Sequence, residues 1–404
     1  MSQTFASLGI RPELIDALAK RGIDSPFDIQ SLTIRDAIAG RDVCGQAKTG
    51  SGKTLAFGLP LLQRLGEGEH TRHPRGLILE PTRELASQVV EELIPLGAAI
   101  GLSVLAVYGG VSLGTQGDRL DKGVDVIVAT PGRLVDLIER KMTSLEDVQM
   151  AIVDEADRMS DIGFLPPVDW ILRQMRAHRP QTLLFSATLD SVVDQLVQRH
   201  LADPVRFTVE FSDDGVAEMT HRFLAVHPMD RVKVAAAIAK TVERTIIFTR
   251  TKRGADRVAE DLAAEGLATA AIHGDLAQPV REKALKKFSD GKIKVLVATD
   301  VAARGIHVDD IDIVIHFDPP ADHKDYLHRS GRTARAGRHG LVATFVLWDQ
   351  KTEVDRLKKR LGLEKEPTVT VYSTDPRLMD LLNFHAEVET TENTEVEAAA
   401  APVG

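Results

Sequence analysis

Cysteine and long apolar runs are scarce in this chain of 404 residues. The single cysteine, Cys44, excludes an internal disulfide and any zinc site that is built from several cysteines. It also suits a reducing compartment. No apolar run reaches the roughly 18 residues that a membrane span needs, and the N-terminus lacks the basic and then apolar segments of a secretory signal. We therefore expect a cytoplasmic, globular protein without disulfides.

An excess of positive charge is also missing. The chain has 50 basic and 59 acidic residues, a net charge of −9, which argues against a general nucleic-acid coat protein. Five of the acidic residues lie in a tail without Lys or Arg: Glu387, Glu389, Glu392, Glu395 and Glu397. Residues 1–386 therefore carry 50 positive and 54 negative charges, a net −4. Any nucleic-acid site must be a local basic patch.

A regular alternation of two patterns predicts the fold class. Short apolar runs, bounded by glycine, proline or polar residues, have the length and composition of buried strands. They are Gly76–Glu80, Leu102–Tyr108, Val124–Ala129, Met150–Val153, Thr182–Phe185, Thr245–Phe248, Thr269–Ile272, Lys294–Ala298, Ile311–Phe317 and Leu341–Leu347. Helix-like stretches lie between them, at Glu84–Leu96, Gly132–Arg140, Val192–His200, Lys252–Glu265 and Val280–Phe288. This pattern predicts an α/β protein with doubly wound parallel sheets.

The length predicts two or three domains, and the alternation pauses once. Ser212, Asp213, Asp214 and Gly215 follow one another in that pause, as in a linker. We predict α/β domains at residues 1–207 and 220–375, joined by a flexible linker at 208–219. Residues 376–404 are predicted to be an acidic, disordered tail.

Polar clusters follow six of the predicted strands. They are Pro81-Thr82-Arg83-Glu84, Thr130-Pro131-Gly132-Arg133, Asp154-Glu155-Ala156-Asp157, Ser186-Ala187-Thr188, His273-Gly274-Asp275 and Thr299-Asp300. Ligands of doubly wound sheets bind at the carboxyl ends of the strands. Clusters in both halves of the chain therefore suggest a site that two sheets share.

The segment Ala47-Lys48-Thr49-Gly50-Ser51-Gly52-Lys53-Thr54 matches the P-loop pattern, with Ala in place of the first glycine. Its small residues let backbone N–H groups approach phosphates, Lys53 reaches the β- and γ-phosphates, and the Thr54 hydroxyl binds Mg²⁺. A predicted strand at Asp42-Val43-Cys44 and a predicted helix at Leu55–Leu65 flank it. This context favours a phosphate site over a chance glycine-rich turn.

Asp154 and Glu155 directly follow a predicted strand. A carboxylate at such a position is the usual second Mg²⁺ anchor of a P-loop site. An adjacent glutamate can orient or deprotonate the attacking water. The alternative is an acidic loop that caps a helix, and the P-loop favours the metal site.

Four arginines of the predicted second domain are spaced three residues apart: Arg329, Arg332, Arg335 and Arg338. If the segment from Asp325 is helical, the first three lie along one stripe, and Gly337 ends the helix. Such arginines can stabilise the charge on a transferring phosphoryl group. A solvated basic face is the alternative, and the spacing alone does not decide between the two.

Two further arginines, Arg83 and Arg133, stand at predicted strand-to-helix junctions beside Thr and Pro. Helix N-termini bind phosphates through free N–H groups, and an arginine adds charge. Two such sites in one domain suit a nucleic-acid strand, although each arginine could instead pair with a nearby carboxylate. Cys44 is predicted to pack inside its strand, and Trp170 and Trp348 are predicted to be core or boundary residues.

In this order, the motifs resemble the DEAD-box family of ATP-dependent RNA helicases, whose name residues 154–157 spell. The resemblance covers residues 1–365, and the compact core favours a bacterial member. It implies two RecA-like domains, ATP and Mg²⁺ as nucleotide and metal, and RNA that is bound mainly through its backbone.

For the nucleotide site, the resemblance implies that Gln30 reads the adenine edge and that Phe5 stacks nearby, as in the family's Q motif. It implies catalytic roles for Lys53, Glu155, Arg332 and Arg335, and Mg²⁺ binding by Thr54 and Asp154. The implied nucleotide contacts are Phe5, Gln30, Ala47, Thr49, Gly50, Ser51, Gly52, Lys53, Thr54, Gly305 and His307.

For RNA, the resemblance implies backbone contacts by Pro81, Thr82, Arg83, Gly110, Thr130, Arg133, Arg250, Thr251, Gly274, Gln278, Arg281 and Thr299. It implies that Asp157, Ser186, Ala187, Thr188 and His328 couple hydrolysis to strand separation. Contacts of this kind predict salt-sensitive binding with little sequence preference, and contacts to 2′-hydroxyls favour RNA over DNA.

Two positions depart from the family pattern. His307 stands where the family usually has an Asp that contacts the ribose of ATP. A neutral imidazole can still form a hydrogen bond with a hydroxyl, but it carries no fixed negative charge. Ala334 stands where Gly is typical, a mild change inside a helix.

The activity that the resemblance implies is an RNA-dependent ATPase that locally unwinds short RNA duplexes or remodels RNA–protein complexes. Closure and opening of the two domains would couple this work to ATP hydrolysis. An ATP-gated RNA clamp with little unwinding would use the same motifs and is the main alternative. A DNA translocase of the same superfamily is a second alternative, which the Q motif disfavours.

Overall fold

The computed structural model describes residues 3–47, 50–68, 71–175, 178–209, 219–300, 311–333 and 340–384. They form two compact units, the first mainly from the chain before Met219 and the second mainly from the chain that follows. The linker predicted at 208–219 falls mostly on residues outside these ranges, as does the tail after residue 384. Both stay predictions.

The first unit consists of strands and helices that alternate along the chain. Its strands are β1 (Val43–Gln46), β2 (Gly76–Leu79), β3 (Val104–Val107), β4 (Val126–Ala129), β5 (Met150–Val153), β6 (Gln181–Ser186) and β7 (Val205–Thr208). Its helices are α1 (Pro12–Ala19), α2 (Asp28–Ile38), α3 (Lys53–Leu65), α4 (Arg83–Ala98), α5 (Leu113–Leu120), α6 (Pro131–Glu139), α7 (Ala156–Asp161), α8 (Leu165–Gln174) and α9 (Ser191–His200).

The strands of this unit form one parallel sheet in the order β3-β4-β2-β5-β6-β1-β7. Within β2, Ile78 packs into the core on one face, and Leu77 and Leu79 pack into the core on the other. Because helices cover both faces, the strand is apolar at every position. All carboxyl ends lie at one edge, which gathers the P-loop after β1 and the polar segments after β2, β4, β5 and β6. This confirms the predicted fold class.

The second unit repeats the architecture. Its strands are β8 (Met219–Ala225), β9 (Thr245–Phe248), β10 (Thr269–Ile272), β11 (Val295–Ala298), β12 (Ile313–His316), β13 (Gly340–Val346) and β14 (Thr368–Thr370). Its helices are α10 (Arg231–Lys240), α11 (Lys252–Ala264), α12 (Gln278–Ser289), α13 (His323–Ser330) and α14 (Lys351–Arg360), followed by a 3₁₀ turn at Pro376–Met379. The start of α12, up to Glu282, belongs to the first unit. The parallel sheet has the order β10-β11-β9-β12-β13-β8-β14.

The prediction of one arginine-bearing helix to Gly337 is wrong. Helix α13 ends at Ser330, and the chain turns at Gly331, where the N–H bonds the Leu327 carbonyl. Arg329 lies in this helix, whereas Arg332 lies after it, so the two arginines do not share a helical stripe.

Within the described ranges, no helix combines the length and the apolar character that a membrane span needs.

Candidate functional site

The P-loop follows β1 and leads into α3. Gly50 and Gly52 adopt positive φ angles of 86° and 83°, a left-handed backbone that favours glycine. Gly52 caps α3, and Lys53 and Thr54 occupy its first turn. Ala47 is buried at the end of β1, where its N–H bonds the Ser186 carbonyl. Thr49 lies outside the described residues. The described part of the loop, from Gly50 to Thr54, thus has the backbone of a phosphate site at a helix N-terminus.

Gln30 ties the Q-motif segment to this loop. Its Oε1 accepts a hydrogen bond from the Phe27 N–H at 3.0 Å, and its Nε2 donates to the Gly52 carbonyl at 2.9 Å. A Cβ on Gly52 would stand 2.4 Å from Gln30 Nε2 and 2.6 Å from Phe27 Cδ2. Glycine is therefore required here, both by its φ and by this close approach.

The ring of Phe5 is 2% exposed and packs in the hydrophobic core of the first unit. The stacking expected for Phe5 is corrected, because a ring that is buried in the core presents no face to a base. An aromatic side chain that does lie against the P-loop is Phe27, which the sequence pattern did not predict. Its only signal was an aromatic residue at a helix N-cap, where Ser, Thr, Asp or Asn is preferred.

A buried charge cluster joins the P-loop to the end of β5. Lys53 Nζ lies 2.8 Å from Glu155 Oε1 and 3.8 Å from Asp154 Oδ1. Arg158 Nε lies 3.1 Å from Glu155 Oε2. All four side chains are buried. Glu155 has a left-handed φ of 51°, an uncommon backbone for a non-glycine residue and one that recurs at functional sites.

The surroundings of these groups shift their protonation equilibria. Burial raises the pKa of Asp154 to about 6, although the Lys53 charge acts in the opposite direction. Burial lowers the pKa of Lys53, but the Glu155 and Asp154 carboxylates outweigh it, so its pKa lies above the usual value. A third carboxyl, Glu80, lies at the end of β2. Burial, followed by the charges of Asp154 and Glu155, raises its pKa well above the usual value.

The donor set fits a hydrated divalent cation with phosphates. Carboxylate and hydroxyl oxygens are the ligands that Mg²⁺ prefers, and it usually takes one or two carboxylates together with substrate phosphates. Asp154 and Thr54 provide such oxygens beside the phosphate cradle. Neither oxygen of the buried Glu80 carboxyl receives a hydrogen bond from a described residue. Glu80 therefore fits a protonated group beside the metal site better than a ligand of the metal.

Asp157 connects the charge cluster to the end of β6. Its Oδ2 accepts hydrogen bonds from the Thr188 N–H at 3.0 Å and from the Thr188 hydroxyl at 3.2 Å. Its own N–H donates to Ser186 Oγ at 3.1 Å. The Ala187 carbonyl accepts from Gln46 Nε2 at the end of β1. The structure therefore brings Asp157, Ser186 and Thr188 into one hydrogen-bonded group, whereas Ala187 bonds to Gln46.

The predicted RNA contacts of the first unit also come together. Thr82 caps α4 through a hydrogen bond from the Leu85 N–H, and Arg83 is the first residue of that helix. A Cβ on Gly110 would stand 2.0 Å from Arg83 Nη1, so the guanidinium lies directly on this backbone. Arg133 donates to the Val111 carbonyl at 2.9 Å and to Gln116 Oε1. Pro81 and Thr130 precede α4 and α6, at the same sheet edge.

In the second unit, predicted contacts follow neighbouring strands. Arg250 is exposed after β9, and its N–H bonds Asp318 Oδ2. Thr251 caps α11 through the Gly254 N–H, and Thr299 is buried after β11. Gly274 follows β10. Arg281 lies in the first half of α12, and residues 276–282 belong to the first unit. Gln278 begins α12, and its side chain lies outside the described part.

The arginine motif of this unit is anchored by one of its members. Arg329 forms a two-pronged ion pair with Asp300, at 2.6 and 2.8 Å, and also bonds the Asp318 carbonyl. His328 lies beside it in α13, and Arg332 is buried after the helix. Arg335, Gly305 and His307 lie outside the described residues, as do Ala334 and Arg338.

Three residues were expected to have structural roles, and the structure agrees with two of these predictions. Cys44 is fully buried in β1 and Trp170 is partly buried in α8, both as predicted. Trp348 is 84% exposed after β13, so its prediction as a core or boundary residue is wrong.

Within the described part, no group of His, Cys, Asp and Glu residues forms a metal-binding cluster.

Two family models match this chain. The model described as DEAD/DEAH box helicase matches residues 27–196, and the model described as Helicase conserved C-terminal domain matches residues 230–337. The two matches fall on the first and second units respectively. They include the P-loop, the cluster at Asp154 and the segment around Arg329.

Named relatives match over most of the chain. It is 38% identical over 375 residues to the DEAD-box ATP-dependent RNA helicase CshA of Bacillus subtilis, covering 91% of this chain and 75% of that protein. It is 40% identical over 366 residues to the mitochondrial DEAD-box ATP-dependent RNA helicase 9 of Arabidopsis thaliana, covering 88% of this chain and 59% of that protein. The chain therefore spans only part of the length of these relatives.

A solved structure shares the fold of both units. It is Dbp5 of S. cerevisiae, bound to RNA and ADP BeF3, with a TM-score of 0.81 and 28% sequence identity. The match covers 93% of this chain and 97% of that chain.

Proposed function

Since this chain belongs to the DEAD-box family of ATP-dependent RNA helicases, we propose that it is an RNA-dependent ATPase that unwinds short RNA duplexes or remodels RNA–protein complexes. One observation supports this most strongly. Glu155, which pairs with Lys53, also pairs with Arg158. The Arg158 N–H donates to Asp157 Oδ1, and Asp157 Oδ2 accepts from the Thr188 N–H. Described contacts therefore link the proposed phosphate chemistry to a predicted coupling segment.

In the proposed reaction, Lys53 and the backbone N–H groups near Gly52 bind the β- and γ-phosphates of ATP. Glu155 accepts a proton from the attacking water, whose oxygen bonds the γ-phosphorus as the bond to the bridging oxygen breaks. Mg²⁺, when held by Asp154 and Thr54, would neutralise charge on the phosphates. Mg²⁺ as the metal stays a prediction.

The ion pair between Lys53 and Glu155 gives this reaction a resting state. A base that is paired with a lysine at 2.8 Å is a weaker proton acceptor than a free one. Phosphates that attract Lys53 would release Glu155 for the attacking water. Binding of the nucleotide would thereby make Glu155 a stronger base, although Arg158 stays paired with its other oxygen.

We propose that RNA lies along the sheet edges that carry the predicted backbone contacts. Arg83 and Arg133 follow strands β2 and β4 of the first unit, and Arg250 follows β9 of the second. Arg332 and Arg335 are proposed to stabilise charge on the transferring phosphoryl group. Contacts to phosphates imply that the affinity for RNA falls as salt rises.

A strand-displacement experiment tests the proposal. A short RNA duplex with one labelled strand is mixed with the protein and ATP, and release of the strand is followed with an RNA trap present. Release that needs ATP and is lost in Glu155→Gln is the expected result. A long-lived, ATP-dependent complex without strand release would instead establish the RNA clamp. Release of an equivalent DNA duplex at the same rate would argue for a DNA translocase.

A further inference from the structure

A buried polar cluster lies between helix α13 and the sheet of the second unit. Its members are Tyr326 of α13, His221 of β8, His316 of β12 and Thr344 of β13, and each is at most 3% exposed. The three strands are neighbours in the sheet. Because polar groups cost free energy when they are buried, and a sheet face that packs on a helix is ordinarily apolar, this Tyr326 cluster calls for an explanation other than core packing.

The contacts of the Tyr326 cluster are directional. The Tyr326 hydroxyl and His221 Nδ1 are hydrogen-bonded at 2.7 Å, and His316 Nδ1 and the Thr344 hydroxyl at 3.0 Å. The Tyr326 ring meets the His316 ring edge-on, with centroids 4.8 Å apart, and stacks on Phe223 at 6.4 Å. Hydrogen bonds in a core specify one arrangement more narrowly than apolar contacts do. One side chain therefore fixes the place of α13 on the sheet.

Helix α13 carries this placement to the arginine motif. Arg329 lies three residues after Tyr326, and its guanidinium lies over the Phe248 ring, 5.2 Å from the centroid. Phe248 in turn meets His316 edge-on at 6.3 Å. The Arg332 N–H donates to the Arg329 carbonyl at 3.2 Å. The backbone of Arg332 is thus attached to the end of the helix that the Tyr326 cluster holds.

We propose that Tyr326 is a positioning residue, which sets the place of α13 and thereby of Arg332. The inference rests on the proposed function in taking Arg332 as a group that stabilises the transferring phosphoryl group. Because Tyr326 is fully buried, it acts through the helix and not on the nucleotide. A group that acts in the transition state affects kcat and leaves the KM for ATP unchanged, and a small misplacement can slow a reaction by up to about 100-fold.

Steady-state ATP hydrolysis at saturating RNA tests the effect on the reaction. Tyr326→Phe keeps the ring contacts and removes the hydroxyl. We expect kcat to fall about fivefold or more, with an unchanged KM for ATP. His221→Leu removes the other partner of the same hydrogen bond, so the double variant should lose no more of kcat than the larger single loss. A higher KM with an unchanged kcat, or fully additive losses, would overturn the proposal.

The matched control is Ile238→Val in α10. Ile238 is fully buried and packs in a core that includes Leu224, whereas Tyr326 stacks on Phe223. Since neighbouring residues of a strand face opposite sides of a sheet, the control lies on the other side of β8. The lost methylene should destabilise the second unit and leave kcat unchanged. An equal fall of kcat in the control would show that activity only follows stability.

Hydrogen exchange of the full chain, without nucleotide or RNA, tests the placement of α13 directly. Tyr326→Phe should speed the exchange of the α13 amides several-fold, and Ile238→Val should not. Unchanged exchange in Tyr326→Phe would overturn the proposal, whatever the rate of ATP hydrolysis. Because this measurement uses no ATP, a failure of the proposed RNA-dependent ATPase is distinguished from a failure of the positioning role.

Discussion

Replacing Glu155 by Gln should destabilise the first unit as well as remove its proposed base. Glu155 lies 2.8 Å from Lys53 Nζ and 3.1 Å from Arg158 Nε, and all three side chains are buried. Breaking a buried ion pair by removing one partner costs about 3–5 kcal/mol. Asp154 stays 3.8 Å from Lys53, so we expect a loss of about 3 kcal/mol in the free energy of unfolding, at the lower end of that range.

Glu80 is expected to soften that loss. Burial and the charges of Asp154 and Glu155 raise its pKa well above the usual value, which favours its neutral form more than in an ordinary glutamate. Without the charge of Glu155, Glu80 can ionise and neutralise part of the cationic excess. Glu80→Gln alone should then cost less than about 1 kcal/mol, because it exchanges one neutral group for another of similar shape. The double variant should lose about 1–2 kcal/mol more than the sum of the single losses.

The two tryptophans allow the first unit to be observed separately. Trp170 lies in α8 of that unit, and the other tryptophan, Trp348, lies in the second. In a Trp348→Phe background, urea unfolding followed by fluorescence reports the first unit alone. A loss below about 1 kcal/mol for Glu155→Gln would refute the assigned ion pairs, since breaking a buried pair costs more. Strictly additive losses would refute the role of Glu80.

Three further outcomes follow from the described contacts. Thr188→Val removes the hydrogen bond from the Thr188 hydroxyl to Asp157 but keeps the bond from the backbone N–H. ATP hydrolysis should persist, while the unwinding rate should fall about fivefold, the rate equivalent of about 1 kcal/mol. Equal losses in both assays would contradict the coupling. Burial raises the pKa of the Cys44 thiol to about 11, so iodoacetamide should label it at pH 8 only after unfolding; rapid labelling of the folded protein would count against its burial. Trp348→Ser should change the free energy of unfolding by less than about 0.5 kcal/mol, because the side chain is 84% exposed, and a larger loss in thermal unfolding would show that the residue is packed.

The central strands were predictable because the pattern has a direct physical cause. Met150–Val153 and Thr245–Phe248 are buried at every position and mostly apolar, since helices cover both faces of each sheet. Strand β7 lies at a sheet edge and alternates half-buried with exposed residues, and β8 contains His and Arg, so neither forms an apolar run. Strand β14 is only three residues long. These three strands were therefore missed.

At the candidate site, too, the sequence predicted some features and missed others. The P-loop and the carboxylates at 154 and 155 were predictable, because phosphate and metal chemistry require those residue types at that spacing. The positions of Phe5 and Phe27 depend on how a turn packs, which residue types do not reveal. Arg329 was predicted to share a helical stripe with Arg332, yet the helix ends between them at Ser330. The chain turns at Gly331, and Arg329 is held there by its ion pair with Asp300.

Steady-state ATP hydrolysis with and without single-stranded RNA tests the proposed mechanism as a whole, with Glu155→Gln measured in parallel. Strong stimulation by RNA, abolished in a variant whose first unit is folded under the assay conditions, is the predicted result. Equal hydrolysis with and without RNA would contradict it, because RNA would then not control the phosphate chemistry of the Lys53–Glu155 cluster.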